Sequence, residues 1–383
     1  MRYFVVLAIL CGVEALGINT IGSALLKQQE INLSSQLQVS LVKNCAITQR
    51  CQVSQIPPTA DTSLPAVGRR EKLDSTINQK QEIISLLFVG DIMLSRGVAH
   101  QIEKNNNILF SFQKSVQTTQ AADITFGNLE NPISARGKNQ GSQYSFRADP
   151  SVVVGLSFAG FDVLSVANNH MWDWGKDALL DTQKLLTEKN IQAIGAGENE
   201  KQAGEAAIIN IKGRSIAFLA CTNLYPRGLW ATENTPGVNA CQQKEFIESI
   251  TEAKKKNDIV VASLHWGTEY APHPDVWQKE FAHTLIEAGA DIVAGHHPHV
   301  VQDAQIYKTK DGLREGIIFY SLGNFIFDQN FSKETTTAGI GKIVIEGSNT
   351  INAQLCFAPI NVFFQPVLDA SAPSCQKVEY MVQ

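Results

Sequence analysis

The sequence predicts an α/β fold organised around a largely parallel central sheet. Three observations carry that expectation. From Leu86 onward, short runs rich in β-branched residues alternate with stretches whose apolar residues recur at helical spacing. The runs are apolar at nearly every position, as suits strands covered on both faces. Polar residues of metal-ligand type recur at or just after the ends of those runs, the edge at which open α/β sheets bind ligands.

Taken from the N-terminus, Arg2 precedes an apolar run from Tyr3 to Val13. A charged start ahead of an apolar core reads as a signal peptide or membrane anchor over residues 1–26. Gly22-Ser23-Ala24 offers a small-residue cleavage site, and Glu14 interrupts a run already short of the roughly 20 residues a span needs, which favours cleavage. Residues 27–84 are rich in Gln, Ser, Asn and Thr, contain Pro57-Pro58 and Pro65, and read as a low-complexity linker. Strands are predicted at 86–89, 124–126, 163–167, 216–220, 259–264, 292–294 and 317–320. Asp149-Pro150 has the form of an N-cap with proline at the first helical position, opening a helix that runs to Ala159. Helical spacing recurs over 175–189, 243–256 and 275–288, with Gly289 as the stop. The expected division is a core domain over 85–345 and a β-rich C-terminal tail over 346–383.

With 383 residues and 44% hydrophobic content, the chain can bury a large core. The net charge of −5 comes with no basic stripe, which argues against a nucleic-acid partner. An anionic substrate has to be drawn by bound cations rather than by the overall field. Of seven cysteines, six fall as local pairs: Cys45 with Cys51, Cys221 with Cys241, and Cys356 with Cys375. Export to an oxidising compartment would make each pair a disulfide.

Five of the eight histidines fall in three short motifs after predicted strands: Asn168-Asn169-His170, His265-Trp266-Gly267 and Gly295-His296-His297-Pro298-His299. Gly90-Asp91 and Gly127-Asn128-Leu129-Glu130 hold the same kind of position. Neutral imidazole, carboxylate and amide carbonyl are ligands for one or two divalent cations of borderline hardness, such as Mn, Fe or Zn. Taken singly, a Gly-Asp is most often a turn and a strand-end histidine a satisfied core residue. The convergence of Asp91, Asn128, Glu130, Asn169, His170, His265, His296 and His299 on one sheet edge outweighs those readings. A carboxylate such as Glu130 can bridge two cations about 3.5–4 Å apart. Asn128 and His170 are the candidate catalytic residues, and His170 could protonate a leaving group or orient a substrate oxyanion. Three imidazoliums as close as His296, His297 and His299 would repel, so neutral rings on a metal are the easier state; spacing leaves open which of them bind. Ser321-Leu322-Gly323-Asn324-Phe325 lacks the Gly-x-Ser-x-Gly elbow and reads as a loop lining the same cleft. Trp172 and Trp174 read as packing residues, His100 and His283 as helical, and His273 as part of a proline-flanked loop.

In this order, Val89-Gly90-Asp91, Gly127-Asn128-Leu129-Glu130, Ala167-Asn168-Asn169-His170, His265-Trp266-Gly267, Gly295-His296-His297-Pro298-His299 and Ser321-Leu322-Gly323-Asn324-Phe325 resemble the CapA family. These are poly-γ-glutamate capsule biosynthesis proteins, a branch of the calcineurin-like metallophosphatase superfamily. The resemblance covers roughly residues 86–345. It implies a four-layer α/β/β/α sandwich with a dinuclear centre. In that scheme Asp91 binds the first metal and Glu130 bridges. Asn169, His265 and His296 bind the second metal, His299 returns to the first, and His170 is the acid or orienting histidine. Two departures stand out. Met93 occupies the place of the histidine in the superfamily's Asp-x-His, which removes a ligand from the first metal. The last motif has one residue more than Gly-His-x-His, which makes His297 an alternative to His296.

The implied activity is that of an exported hydrolase in which metal-activated water cleaves a phosphoester or a γ-glutamyl amide. Its place would be the making or processing of a polyanionic polymer at the cell envelope. Two other classes stay open: a non-catalytic envelope factor that binds or helps export such a polymer, and a general metallophosphodiesterase.

Overall fold

In the computed structural model of the chain, the described residues are 83–224, 227–347, 350–368 and 374–380. The predicted export signal, nearly all of the predicted linker and the Cys45–Cys51 pair lie outside them. The chain runs β1 (Ile83–Ile92), α1 (Arg96–Lys104), α2 (Val116–Ala121), β2 (Ile124–Leu129), α3 (Val153–Phe158), β3 (Val163–Ser165), α4 (Gly175–Glu188), β4 (Gln192–Ile194), β5 (Ala196–Gly197), α5 (Glu200–Ala203), β6 (Ala207–Ile211), β7 (Arg214–Thr222), β8 (Gly237–Val238), α6 (Gln243–Lys256), β9 (Ile259–His265), α7 (Val276–Ala288), β10 (Ile292–His296), β11 (Ala304–Lys308), β12 (Glu315–Phe319), β13 (Asn324–Ile326), β14 (Thr337–Glu346), β15 (Thr350–Pro359) and β16 (Ser374–Lys377). Each predicted strand and helix forms, within a few residues of its expected limits. The helix expected at 275–288 starts where its sequence says it should: Asp275 and Gln278 exchange the two hydrogen bonds of a capping box.

An eight-stranded sheet runs β16-β15-β14-β1-β2-β3-β4, with β13 beside β1, and a six-stranded sheet runs β11-β12-β10-β9-β7-β6. Strands β1 to β4 are mutually parallel. So are β7, β9, β10 and β12. Each sheet therefore gathers the C-terminal ends of its parallel strands on one edge.

Strand alternation makes the layers. Leu86 and Phe88 of β1 join Phe126, Phe218, Val261, Ala294 and Phe319 in a core between the two sheets. Their neighbours Leu87 and Val89 face the other way, onto Val98 and Ile102 of α1, Leu156 of α3 and Leu179 of α4. In the second sheet, Ala217, Leu219, Val260, Ala262 and Val293 turn outward onto Phe246 and Ile250 of α6 and Phe281 and Leu285 of α7. A period of two on strands covered on both faces gives three apolar cores and hence the α/β/β/α order. Phe126 stacks on Phe218 at 5.9 Å and lies 5.6 Å from Phe88, tying sheet to sheet.

Cys221 is bonded to Cys241, closing a 20-residue excursion from the end of β7, and Cys356 is bonded to Cys375 between the paired strands β15 and β16. Cys221→Ser is expected to lower stability by about 2–4 kcal/mol, through the entropy of the opened loop. Urea unfolding of variant and wild type measures this, and an unchanged midpoint would show that the pair is not bonded in solution. Among the described residues, no helix is long and apolar enough to cross a membrane.

Candidate metal centre

The strand ends bring the predicted residues together. Asp91 stands near the end of β1, Glu130 immediately follows β2, Asn169 and His170 follow β3, and His265 and His296 end β9 and β10. Asp91 and Asn128 are register partners in one sheet, as His265 and His296 are in the other. Asn128 Nδ2 donates to Asp91 Oδ1 at 2.9 Å and lies 3.3 Å from His265 Nδ1, so a single amide spans both sheets. Asn169 Oδ1 is 2.8 Å from His265 Nε2. His296 Nδ1 and His299 Nδ1 lie 3.4 Å and 3.2 Å from the two Asp91 oxygens.

Glu130 occupies the middle of this group. Its side chain is buried and its Oε1 takes part in no hydrogen bond. That oxygen instead faces the Nε2 atoms of His299 at 3.6 Å and of His170 and His265 at 3.9 Å each. Such separations are too long for hydrogen bonds. They suit donors gathered around an ion about 2.1 Å from each, which stand about 3–4 Å from one another. Two donor groups, Asp91–Glu130–His265 and Glu130–His297–His299, each place one ligand atom per residue within 4.8 Å of the others, and Glu130 is common to both. The second group contains His297; His296 lies beside Asp91 with neither ring nitrogen hydrogen-bonded.

Burial shapes the charges. It works to raise the Asp91 carboxyl, but the adjoining His296 and His299 imidazoles outweigh it and hold that carboxyl well below the usual range. Burial, reinforced by the Asp91 charge, pushes Glu130 well above that range. Burial holds His265 well below the usual histidine value and pushes His297 down to about 3. Neutral imidazoles are the form a divalent cation binds. Together with the orphaned Glu130 oxygen, this donor set fits such cations.

The turn after β10 is held from outside. His297 and His299 have φ of 97° and 58°, a left-handed backbone unfavourable for residues with a Cβ. Asp91 Oδ2 accepts the His297 amide proton at 3.2 Å. Asn324 donates both amide protons, to Gln329 Oε1 at 3.1 Å and to the Thr335 carbonyl at 3.0 Å. Its Oδ1 is then the acceptor for His299 Nδ1–H at 3.0 Å, which leaves the Nε2 lone pair facing Glu130. The glycines of two motifs are close-approach positions. A Cβ on Gly90 would stand 1.9 Å from the Gly323 carbonyl oxygen, and one on Gly295 would stand 1.9 Å from that of Tyr320. The segment 320–323 thus lies against both motifs.

His170 is buttressed separately. Its Nδ1 is 2.8 Å from Asp173 Oδ2, which also accepts the Phe146 amide proton at 2.8 Å. The Phe146 ring stacks on the imidazole at 4.0 Å. His170, with Arg96, Tyr270 and His299, lines a cavity of about 260 Å³. A larger cavity of about 460 Å³ lies at the opposite ends of the strands, around Asp291 with its partners Lys254 and Arg314, and none of the predicted residues lines it.

Asp173 and the role of Asn324 escaped the sequence reading. A signal for Asp173 was present, since an acid three residues after His170 folds back onto it when a turn follows the strand; Asp173 N donates to the His170 carbonyl at 3.0 Å. Asn324 carried none, because the histidine it orients stands 25 residues away in sequence. Met93 is buried in the helix-side core, and its sulfur accepts the Ser95 hydroxyl proton at 2.9 Å. The first motif therefore contributes Asp91 alone.

A family model described as "Bacterial capsule synthesis protein PGA_cap" matches residues 85–329. The chain is 34% identical over 280 residues to the capsule biosynthesis protein CapA of Bacillus anthracis, covering 71% of this chain and 66% of that one, just under two thirds of its length. It is 36% identical over 261 residues to the PGA biosynthesis protein CapA of Bacillus subtilis (strain 168), covering 67% of each. Among solved structures it matches one described as a novel phosphatase, from Mycoplasma pneumoniae, with a TM-score of 0.42 and 13% identity over 78% of this chain and 94% of that one.

Proposed function

This chain belongs to the PGA_cap family of bacterial capsule synthesis proteins, and from that premise we propose that it is an exported metal-dependent hydrolase acting on a polyanionic envelope polymer of the poly-γ-glutamate kind. One observation carries the proposal: a buried carboxylate oxygen of Glu130 without a hydrogen-bond partner, faced by three imidazoles and shared by two donor groups. Divalent cations such as Mn, Fe or Zn supply a Lewis acid that lowers the pKa of water and offsets negative charge developing on a substrate. Glu130 would join two such ions, with Asp91, Asn169, His265 and the 296–299 turn supplying the other donors. His170, held through Nδ1 by Asp173, keeps Nε2 directed at the centre, where it can hand a proton to a leaving group. Asp173→Asn is expected to lower turnover about 10- to 100-fold at unchanged metal content. Steady-state kinetics on the metal-loaded variant checks this, and wild-type turnover would remove Asp173 from the mechanism.

A second reading has one observation in its favour. Met93 leaves the first motif with a single ligand, which suits an envelope factor that binds or helps export a polymer without cleaving it. Elemental analysis of the purified chain, beside Asp91→Ala and His265→Ala, separates the readings. The hydrolase requires about two metals per chain, with one lost in each variant, and turnover that His170→Ala abolishes. A chain that stays metal-free after reconstitution with Mn, Fe and Zn yet binds the polymer would sink the hydrolase and leave the envelope factor. Turnover of simple phosphodiesters, with the polymer untouched, would identify a general phosphodiesterase.

A further inference from the structure

We infer that Arg96 recognises an oxyanion at the mouth of the cleft: its guanidinium, pinned by Asp328, receives a carboxylate or phosphoryl group of the substrate beside His170. The inference rests on the hydrolase reading above and adds a specificity-determining residue to it.

Arg96 is the one lysine or arginine among the described residues lining the 260 Å³ cavity, which His170 and His299 also line. It has φ of 50°, a backbone conformation that side chains with a Cβ rarely adopt. Asp328 holds the strained turn. It accepts from Arg96 Nε at 3.1 Å, from Arg96 Nη2, and from the Gly97 amide at 3.0 Å. These bonds engage one edge of the planar fork. Nη1, on the other edge, has no hydrogen-bond partner among the described residues, and the side chain remains about a third exposed, at 36%.

The guanidinium also lies over the Phe146 ring, 4.8 Å from its centroid, and that ring stacks on His170 at 4.0 Å. The charge is thus fixed one aromatic ring away from the proton-donating histidine. An arginine clamped along one edge has already lost its rotamer freedom, so an incoming oxyanion meets a preorganised pair of N–H donors. Glu269 also lines the cavity and repels an anion, which confines the oxyanion to the Arg96 end. A purely structural tie between α1 and Asp328 would require neither the left-handed backbone nor an open outer edge.

The test uses the full metal-loaded chain and two probes, inorganic phosphate and the dipeptide γ-glutamylglutamate, with binding followed by calorimetry. Arg96→Gly removes the fork while giving φ of 50° to the residue that adopts it freely. Arg96→Lys keeps the charge and the pair with Asp328 but loses the planar geometry. Arg96→Gly is expected to bind at least one probe about 10- to 100-fold more weakly, with Arg96→Lys intermediate, with metal content as in wild type and with the chain still folded at the assay temperature. Loss of phosphate binding identifies a phosphoryl group, and loss of dipeptide binding identifies a carboxylate. The proposal is overturned if Arg96→Gly binds both probes as wild type does, or if wild type binds neither. Metal content read on the same samples keeps the two failures apart: a metal-free chain overturns the hydrolase, and the probes still score Arg96 on it.

Discussion

Glu130→Gln is expected to strip the chain of its metal while leaving the fold intact. Among the described residues, Glu130 Oε1 makes no hydrogen bond, and Oε2 accepts only a long one, 3.4 Å, from Asn128 Nδ2. A glutamine of the same shape keeps that contact and gives up nothing else. Burial and the neighbouring Asp91 charge push the Glu130 carboxyl well above its usual range, so in the ion-free chain the surroundings disfavour the charge that glutamine removes. What glutamine cannot supply is negative charge shared between both donor groups. Cation affinity should fall by more than about 100-fold, beyond the loss seen when only a supporting residue is removed. Turnover should fall by at least about 10²–10³, the scale of one missing electrostatic stabiliser. Elemental analysis and urea unfolding on the same preparation measure both halves. A variant that keeps two metals would show that Glu130 is not a ligand, and one that unfolds early would show that its role is structural.

The largest loss of stability is expected from Gly295→Ala, a change of one methyl group. The added carbon would stand 1.9 Å from the Tyr320 carbonyl oxygen and 2.6 Å from Trp266 Nε1. Neither neighbour can step aside. The carbonyl is backbone at the end of β12, and the Trp266 indole is fully buried and donates to that same carbonyl at 2.9 Å. Strand β10 must therefore shift against β9 and β12, at about 4 kcal/mol or more, in the range reserved for overpacked cores with no relaxed alternative. Because the turn at 296–299 starts at the next residue, the displacement reaches the donors directly. Denaturant unfolding and metal content should both fall. Wild-type values for both would show that the strands have room that these contacts deny.

Much of this was legible from local pattern. Apolar runs at 86–89, 216–220 and 259–264, short, rich in β-branched residues and with no polar face, suit strands buried on both sides, so the layering follows from composition along the strand. The gathering of Asp91, Asn128, Glu130, Asn169, His170 and His265 followed from each standing at the end of such a run, since parallel strands present those ends on one edge. Helix limits were readable where capping chemistry is local, as at Asp275 and Gln278.

Other features depend on contacts between residues far apart in sequence. Three imidazoles in four residues do not reveal their own directions. The left-handed backbone at His297 and His299, held by Asp91 some two hundred residues away, puts His297 with Glu130 and His299 and sets His296 beside Asp91. The glycine before Asp91 reads as an ordinary turn until the Gly323 carbonyl is found against it. The proton on His299 follows from Asn324, whose own amide is oriented by Gln329 and Thr335. By itself, the sequence determined the strands, the helices and the edge on which the ligand-type residues meet, because hydrophobic period and capping act over a few residues. Only the tertiary structure decided which nitrogen faces which oxygen, because hydrogen-bond direction and steric approach act between segments that the chain order keeps apart.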